Sequence, residues 1–399
     1  MNVRRLLTIT LPATLVTSVL LMAGVEVWVR ATFDPLKGRP GFFLGDPTRR
    51  QRLSANYTGW FAGVPVHINS LELRDDREYD LKKGPKTFRI LVLGDSVTFG
   101  HGAISENTYP AILERRLRDW RADVDWQVWN AAVPGYNTSQ ELAQLLEVGP
   151  AVKPDLVIVG FYPNDLVDNY TVAAPSRLAV ARNGVTSFLR RHVYSLELYR
   201  KVFLTLAWRL SRSGEFQRRI DDLGAEAAIL DKRPAVARLE EQALTHYDLY
   251  SSDEVKKHDC EGGQRPNPAL IRDIQNGPAW PAWVHAVGEL QQLHKSGQYS
   301  LMFFVNETPR RCPDGDFFYA KAVRQENDLF LKILGDGTPA VSTFDAFLRT
   351  RPSQMPEAAA HALGNSNAVK AEVLLEYLTS ELFPRLRHPA LVQHGLLQP

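Results

Sequence analysis

Cysteine is nearly absent from the chain: 399 residues hold only Cys260 and Cys312, with no C-x-x-C pair and no histidine at ligand spacing beside either. A structural zinc site is thereby unsupported, and two isolated thiols or one bridge remain; the bridge requires an oxidising compartment. Net charge is equally sparse. Lys and Arg number 47 against 45 Asp and Glu, a formal +2, which provides no broad positive field for nucleic acid. Phosphate loops, dinucleotide fingerprints and metal clusters are missing too, so no cofactor and no metal is implied. Long uncharged runs are absent except for one.

That run spans residues 6–25, comes after Arg4 and Arg5, and ends at Glu26. Its length suffices to cross a bilayer as one helix, and the preceding arginines place the N-terminus in the cytoplasm and the rest of the chain outside. A cleaved signal peptide is the rival reading, given the small residues in Leu21-Met22-Ala23-Gly24. The run is longer than a usual signal core and lacks a clean A-x-A site, which favours an uncleaved signal anchor over residues 1–30. The chain is therefore expected in the cytoplasmic membrane as a single-pass protein, its main body periplasmic or extracellular.

The chain as a whole has ordinary globular composition, 44% hydrophobic and 23% charged. Residues 31–87, with scattered Pro, Gly and charge, read as a tether with one short extended segment over 64–71. Then strands and helices alternate. Strands are expected at 88–93, 126–133 and 155–161, and helices at 109–120 and 139–148. The rhythm stops over 166–278, a mostly helical insertion, and resumes with helices at 280–294 and 318–334, strands at 300–305 and 340–344, and a closing helix at 367–382; residues 386–399 form a tail. Such alternation specifies a three-layer α/β/α domain around a parallel sheet of about five strands, with chemistry just beyond the strands' carboxyl ends. Within the insertion, residues 193–210 form one amphipathic helix bearing Arg190, Arg191, Arg200, Lys201, Arg209 and Arg212, with Leu196, Tyr199, Val202, Phe203, Leu206 and Leu210 on its apolar face. Packing of that face on the sheet domain is favoured over a lid or a lipid-headgroup surface.

Three loops carry the chemistry. After the first strand comes Gly94-Asp95-Ser96, a serine at a strand-to-helix turn where backbone N–H groups are free; alone, it also reads as a helix cap. After the second comes Gly135, whose N–H a substrate can approach without a side chain in the way. After the third come Gly160 and Asn164-Asp165. These three blocks, each in order after its own strand, resemble the SGNH (GDSL-like) hydrolase superfamily over roughly residues 88–165 and 300–383. The resemblance implies its flavodoxin-like fold, ester chemistry with Ser96 as nucleophile, and an oxyanion hole of the Ser96 N–H, the Gly135 N–H and the Asn164 side chain, with Gly94, Asp95 and Asp165 as motif support.

A serine hydroxyl needs a base, and the family places a histidine just before its last helix. The matching position here is His361. Where the family has an aspartate two or three residues earlier, this chain has Ala358 and Ala359; Glu357, one residue earlier still, and Asp345 are the candidate orienting acids. Another register aligns Gly364-Asn365 with the family's Gly-His and leaves no histidine, and His101, near the serine, is a reserve base. The expected function is hydrolysis of O-acyl esters on a glycan or lipid substrate. O-acyl transfer to envelope glycans, or a catalytically weak binding protein, are the alternatives.

Overall fold

The computed structural model describes residues 6–32, 41–166, 169, 176–211, 214, 217, 239–258, 268–312, 315–319, 324–358, 361–386 and 388–392. The N-terminal apolar run is helix α1 (Leu11–Ala31), with no buried residue; the helical stretch Thr8–Ala31 is long and apolar enough to cross a membrane. Four short strands come next, β1 (Phe43–Asp46), β2 (Arg50–Leu53), β3 (Tyr57–Phe61) and β4 (Val64–Ile68), then β5 (Thr87–Gly94), buried at all eight positions. They lead into α2 (Ser96–Phe99), α3 (Tyr109–Trp120), β6 (Asp125–Asn130), α4 (Thr138–Val152) and β7 (Leu156–Phe161). The insertion supplies α5 (Arg177–His192), α6 (Leu196–Ser211), α7 (Ser252–His258) and α8 (Pro268–Gln275). The chain returns with α9 (Trp280–Lys295), β8 (Leu301–Val305), the two-residue strands β9 (Arg310–Arg311) and β10 (Phe318–Tyr319), and α10 (Arg324–Leu334). It closes with β11 (Ala340–Ser342), α11 (Phe344–Leu348), β12 (Glu357–Ala358), β13 (His361–Ala362) and α12 (Gly364–Tyr377).

Five strands pair in parallel in the order β11-β8-β7-β5-β6. Renumbered along the chain this is 2-1-3-4-5, the flavodoxin-like order, whose switch point lies between β5 and β7. Strand alternation divides the core. Phe88, Ile90 and Val92 pack with Tyr109, Leu113, Ala371 and Leu374 of α3 and α12. Leu91 and Leu93 pack with Leu145, Trp283, Leu290 and Phe330 of α4, α9 and α10 on the other face. The expected three-layer arrangement is thus present.

Three regions differ from the sequence reading. The 31–87 segment is more than a tether: β1–β2 and β3–β4 are antiparallel hairpins whose Phe42, Leu53, Tyr57 and Phe61 form a core with Phe99, Val133 and Tyr136 from the loops beyond β5 and β6. Turn residues masked this pattern, since the strands are only four or five residues long. The helix expected over 193–210 begins at Leu196, and Arg190 and Arg191 belong to the separate α5. Between α5 and α6 the Glu26 carboxylate of α1 accepts from Tyr194 N (2.9 Å), Ser195 N (2.8 Å) and Ser195 Oγ (2.6 Å), capping α6 from outside. Tyr199 donates to Met22 O (3.1 Å), and Arg30 to His192 O (2.6 Å). Phe203 and Leu210 stay 66% and 88% exposed, so the apolar face of α6 does not pack on the sheet domain as expected. Arg212 and Cys260 lie outside the described residues; Cys312 is disulfide-bonded. The expected helix start at 318 falls in β10 instead, and α10 begins at Arg324.

Candidate active site

Ser96 opens α2 because Asp95 caps that helix: its Oδ1 accepts from Val97 N at 2.8 Å. With four residues, α2 stops at Gly100, whose φ of 82° a side chain would oppose. The tight turn also needs Gly160 on the neighbouring strand, where a Cβ would lie 2.3 Å from Thr98 Oγ1 and 2.9 Å from Tyr109 Oη. Tyr109 in turn donates to Thr98 Oγ1 at 3.0 Å. Register pairs Gly94 with Gly160, so the loops beyond β5 and β7 face each other across the switch point.

Across that gap Asn164 donates through Nδ2 to Asp95 Oδ2 at 2.8 Å. One amide proton is thereby committed to Asp95, and the group has a second to donate. Gly135, an exposed residue, holds φ at +80°, and its loop is braced by the hairpins: Gln51 Nε2 donates to Pro134 O (2.8 Å) and Tyr136 Oη to Gln51 O (2.7 Å). Arg74, buried beneath the turn, donates to Phe99 O and Gly100 O at 2.6 Å each and also to Ala103 O. Nothing in the sequence marks Arg74 or Gln51 as parts of the site, because their role is set by long-range packing.

His361 stands on β13 with Nε2 2.8 Å from Ser96 Oγ. Its ring stacks on His101 (centroids 4.4 Å apart, planes at 25°), which meets Phe61 edge-on at 5.1 Å. His101 thus backs the histidine, whereas Gly364 and Asn365 belong to α12, where Asn365 bonds Thr245 N and Oγ1 at 2.9 Å each. Glu357 is a correction. In the β12–β13 ladder Ala358 opposes His361 and Glu357 opposes Ala362; opposed residues share a face and neighbours alternate. Glu357 therefore lies on the face away from His361, with its carboxylate 3.8 Å from Arg311 Nη2. Asp345 is also elsewhere, exposed and paired with Arg324 at 2.6 Å.

Electrostatically the floor of the site is acidic. Asp95 is fully buried, and burial raises its pKa despite the Asn164 and Val97 hydrogen bonds and the nearby His361 and Lys370. Beneath it Glu141 of α4 and Asp165 are also wholly buried, and burial pushes both carboxyls well up, each also repelled by the Asp95 charge. Neither Glu141 oxygen has a hydrogen-bond partner among the described residues, so nothing there offsets the burial that disfavours its charged form. Lys370 on α12 is likewise buried, which brings its pKa down to about 8. A sequence signal for it exists: it interrupts the apolar stripe Ala371, Leu374, Leu378 of the closing helix.

Residues 92–248 match the GDSL-like lipase/acylhydrolase family, a span that takes in Ser96, Gly135 and Asn164 and ends before His361. No curated protein matches the chain. Similar solved structures include a lipolytic protein of the G-D-S-L family from Desulfitobacterium hafniense (9% identity, 73% of this chain, 98% of that one, TM-score 0.33). Others are an acetylxylan esterase variant from Geobacillus stearothermophilus (12%, 74%, 95%, 0.38) and a GDSL-like lipase from Bacteroides thetaiotaomicron (10%, 74%, 88%, 0.32). Over residues 92–248 the chain is thus similar to the GDSL-like lipase/acylhydrolase family.

Proposed function

We propose that the protein is a serine esterase that removes O-acyl groups from a glycan or lipid at the outer side of the cytoplasmic membrane. The observation that carries this reading is the 2.8 Å separation of His361 Nε2 and Ser96 Oγ, the reach a general base requires. Ser96 Oγ attacks the ester carbonyl while His361 takes its proton. The charge that develops on the carbonyl oxygen is met by the N–H groups of Ser96 and Gly135 and by the Asn164 amide, three donors whose positions Asp95 and the hairpins fix in advance. As the tetrahedral intermediate collapses, His361 returns the proton to the departing alcohol; water, activated by the same imidazole, then releases the acid. Placement outside the membrane is supported by the apolar stretch Thr8–Ala31 behind Arg4 and Arg5.

The test is release of p-nitrophenol from p-nitrophenyl acetate by the full chain in detergent. Ser96→Ala and His361→Ala should each lower kcat by about 10^4 or more, as loss of a nucleophile or base does elsewhere. Wild-type turnover in Ser96→Ala would sink the reading. Ser96-dependent transfer to a sugar hydroxyl in place of water would make it an acyltransferase.

A further inference from the structure

A cavity of about 250 Å³ adjoins the site, walled in part by Val97 and Ala362, the chain neighbours of Ser96 and His361. Three cations, Arg310, Arg311 and Lys370, line it against a single carboxylate, Glu357. The two arginines are exposed, as the mouth of a pocket allows. Lys370 is different: only 3% of it is exposed, yet no hydrogen bond or ion pair within 4 Å reaches its ammonium among the described residues. Asp95 and Glu357 act on it only through space. The Asp95 oxygens accept instead from Val97 N and Asn164 Nδ2, and Glu357 is drawn to Arg311. The Lys370 ammonium, on a side chain otherwise enclosed, therefore opens on the cavity without a hydrogen-bonded counterion, and an anion there would complete it.

Resting on the hydrolase reading above, we infer that this cavity takes the carboxylate of an acidic sugar, so that the substrate is an O-acylated uronic-acid glycan whose ester lies beside the charged ring. Lys370 closes on one carboxylate oxygen at the pocket's inner end, and an arginine fork matches the planar group at its mouth. Phe318 and Phe347 share the wall and offer apolar surface to the C–H face of a sugar ring. Glu357, displaced from the histidine by the β-ladder register, limits the excess positive charge and positions Arg311.

The experiment is isothermal titration of full-length Ser96→Ala protein in detergent with glucuronate, glucose and glycerol 3-phosphate. Glucuronate should bind at least tenfold more tightly than glucose, and adding Lys370→Met should abolish that preference while Lys370→Arg retains part of it. If Lys370→Met fails to fold, the exposed pair Arg310→Ala and Arg311→Ala serves instead and should reduce the preference at least threefold. Equal binding of glucuronate and glucose, or a preference that survives these variants, overturns the inference. Tighter binding of glycerol 3-phosphate than of glucuronate also overturns it, in favour of a lipid headgroup. Because these titrations need no turnover, a glucuronate preference in a protein without Ser96-dependent hydrolysis would sink the hydrolase reading and leave the pocket standing.

Discussion

Glu307 lies just beyond β8, and it is 6% exposed with Oε2 unpartnered among the described residues. Burial, reinforced by Glu326 and offset by Arg310, raises its pKa from 4.5 to about 8. A carboxyl raised in the folded state binds its proton more tightly there than in the unfolded chain. Its contribution is therefore intact below about pH 4.5 and is lost as pH rises toward 8. Linkage with these two values gives a penalty of about 1 kcal/mol at pH 5 and about 4 kcal/mol at pH 7.5. Glu307→Gln cannot ionise, so its stability relative to wild type should rise by about 3 kcal/mol across that interval. Any cost of leaving the new amide unpaired is the same at both pH values and cancels in the difference. So do the contributions of Glu141 and Asp165, which both proteins share. Urea unfolding of the two proteins at pH 5 and pH 7.5, followed by tryptophan fluorescence, measures the quantity. A difference between variant and wild type that does not change with pH would show that Glu307 is solvated or paired, and the reasoning would fail.

The site carries two further expectations. Asn164→Ala should lower kcat for p-nitrophenyl acetate by about 10^2 to 10^3 with KM little changed, the signature of a donor used in the transition state; an effect confined to KM would remove Asn164 from the oxyanion hole. Arg74→Ala strips donors from three carbonyls in the turn that follows Ser96 and should destabilise the protein by about 3 kcal/mol or more in thermal or urea unfolding, whereas a loss below about 1 kcal/mol would mean that water replaces the guanidinium.

The parallel sheet is legible in the sequence because its three central strands are buried on both faces and read as largely continuous apolar runs: the expected 155–161 and 300–305 differ by one residue from Leu156–Phe161 and Leu301–Val305. Helix 109–120 is also found at the expected bounds, set by Pro110 near its start. The three loops after β5, β6 and β7 are legible for a related reason, since their residue types have few uses besides turns and donors. Glu357 misleads because spacing along the chain does not reveal which face of a two-residue ladder a side chain occupies. Arg74, Gln51 and the Asp95–Asn164 bond are not legible at all: each depends on segments far apart in sequence meeting in space. The hairpins are hidden because four-residue strands amid glycine and proline leave too short a period to detect.

The Glu26 clasp fixes the start of α6 at one level along the apolar helix α1. Glu26 lies 18 residues beyond Thr8, the first residue of the apolar stretch, which at about 1.5 Å per residue is close to the thickness of a bilayer's hydrocarbon core. With α1 across a bilayer, the start of α6 is held at the water boundary, and α5, beside β1, carries the hairpin layer with it. A domain on a loose leash samples every distance its tether permits. One pinned at the lip of a membrane would meet chiefly groups presented at that level, so that reach, as much as pocket chemistry, would do the selecting.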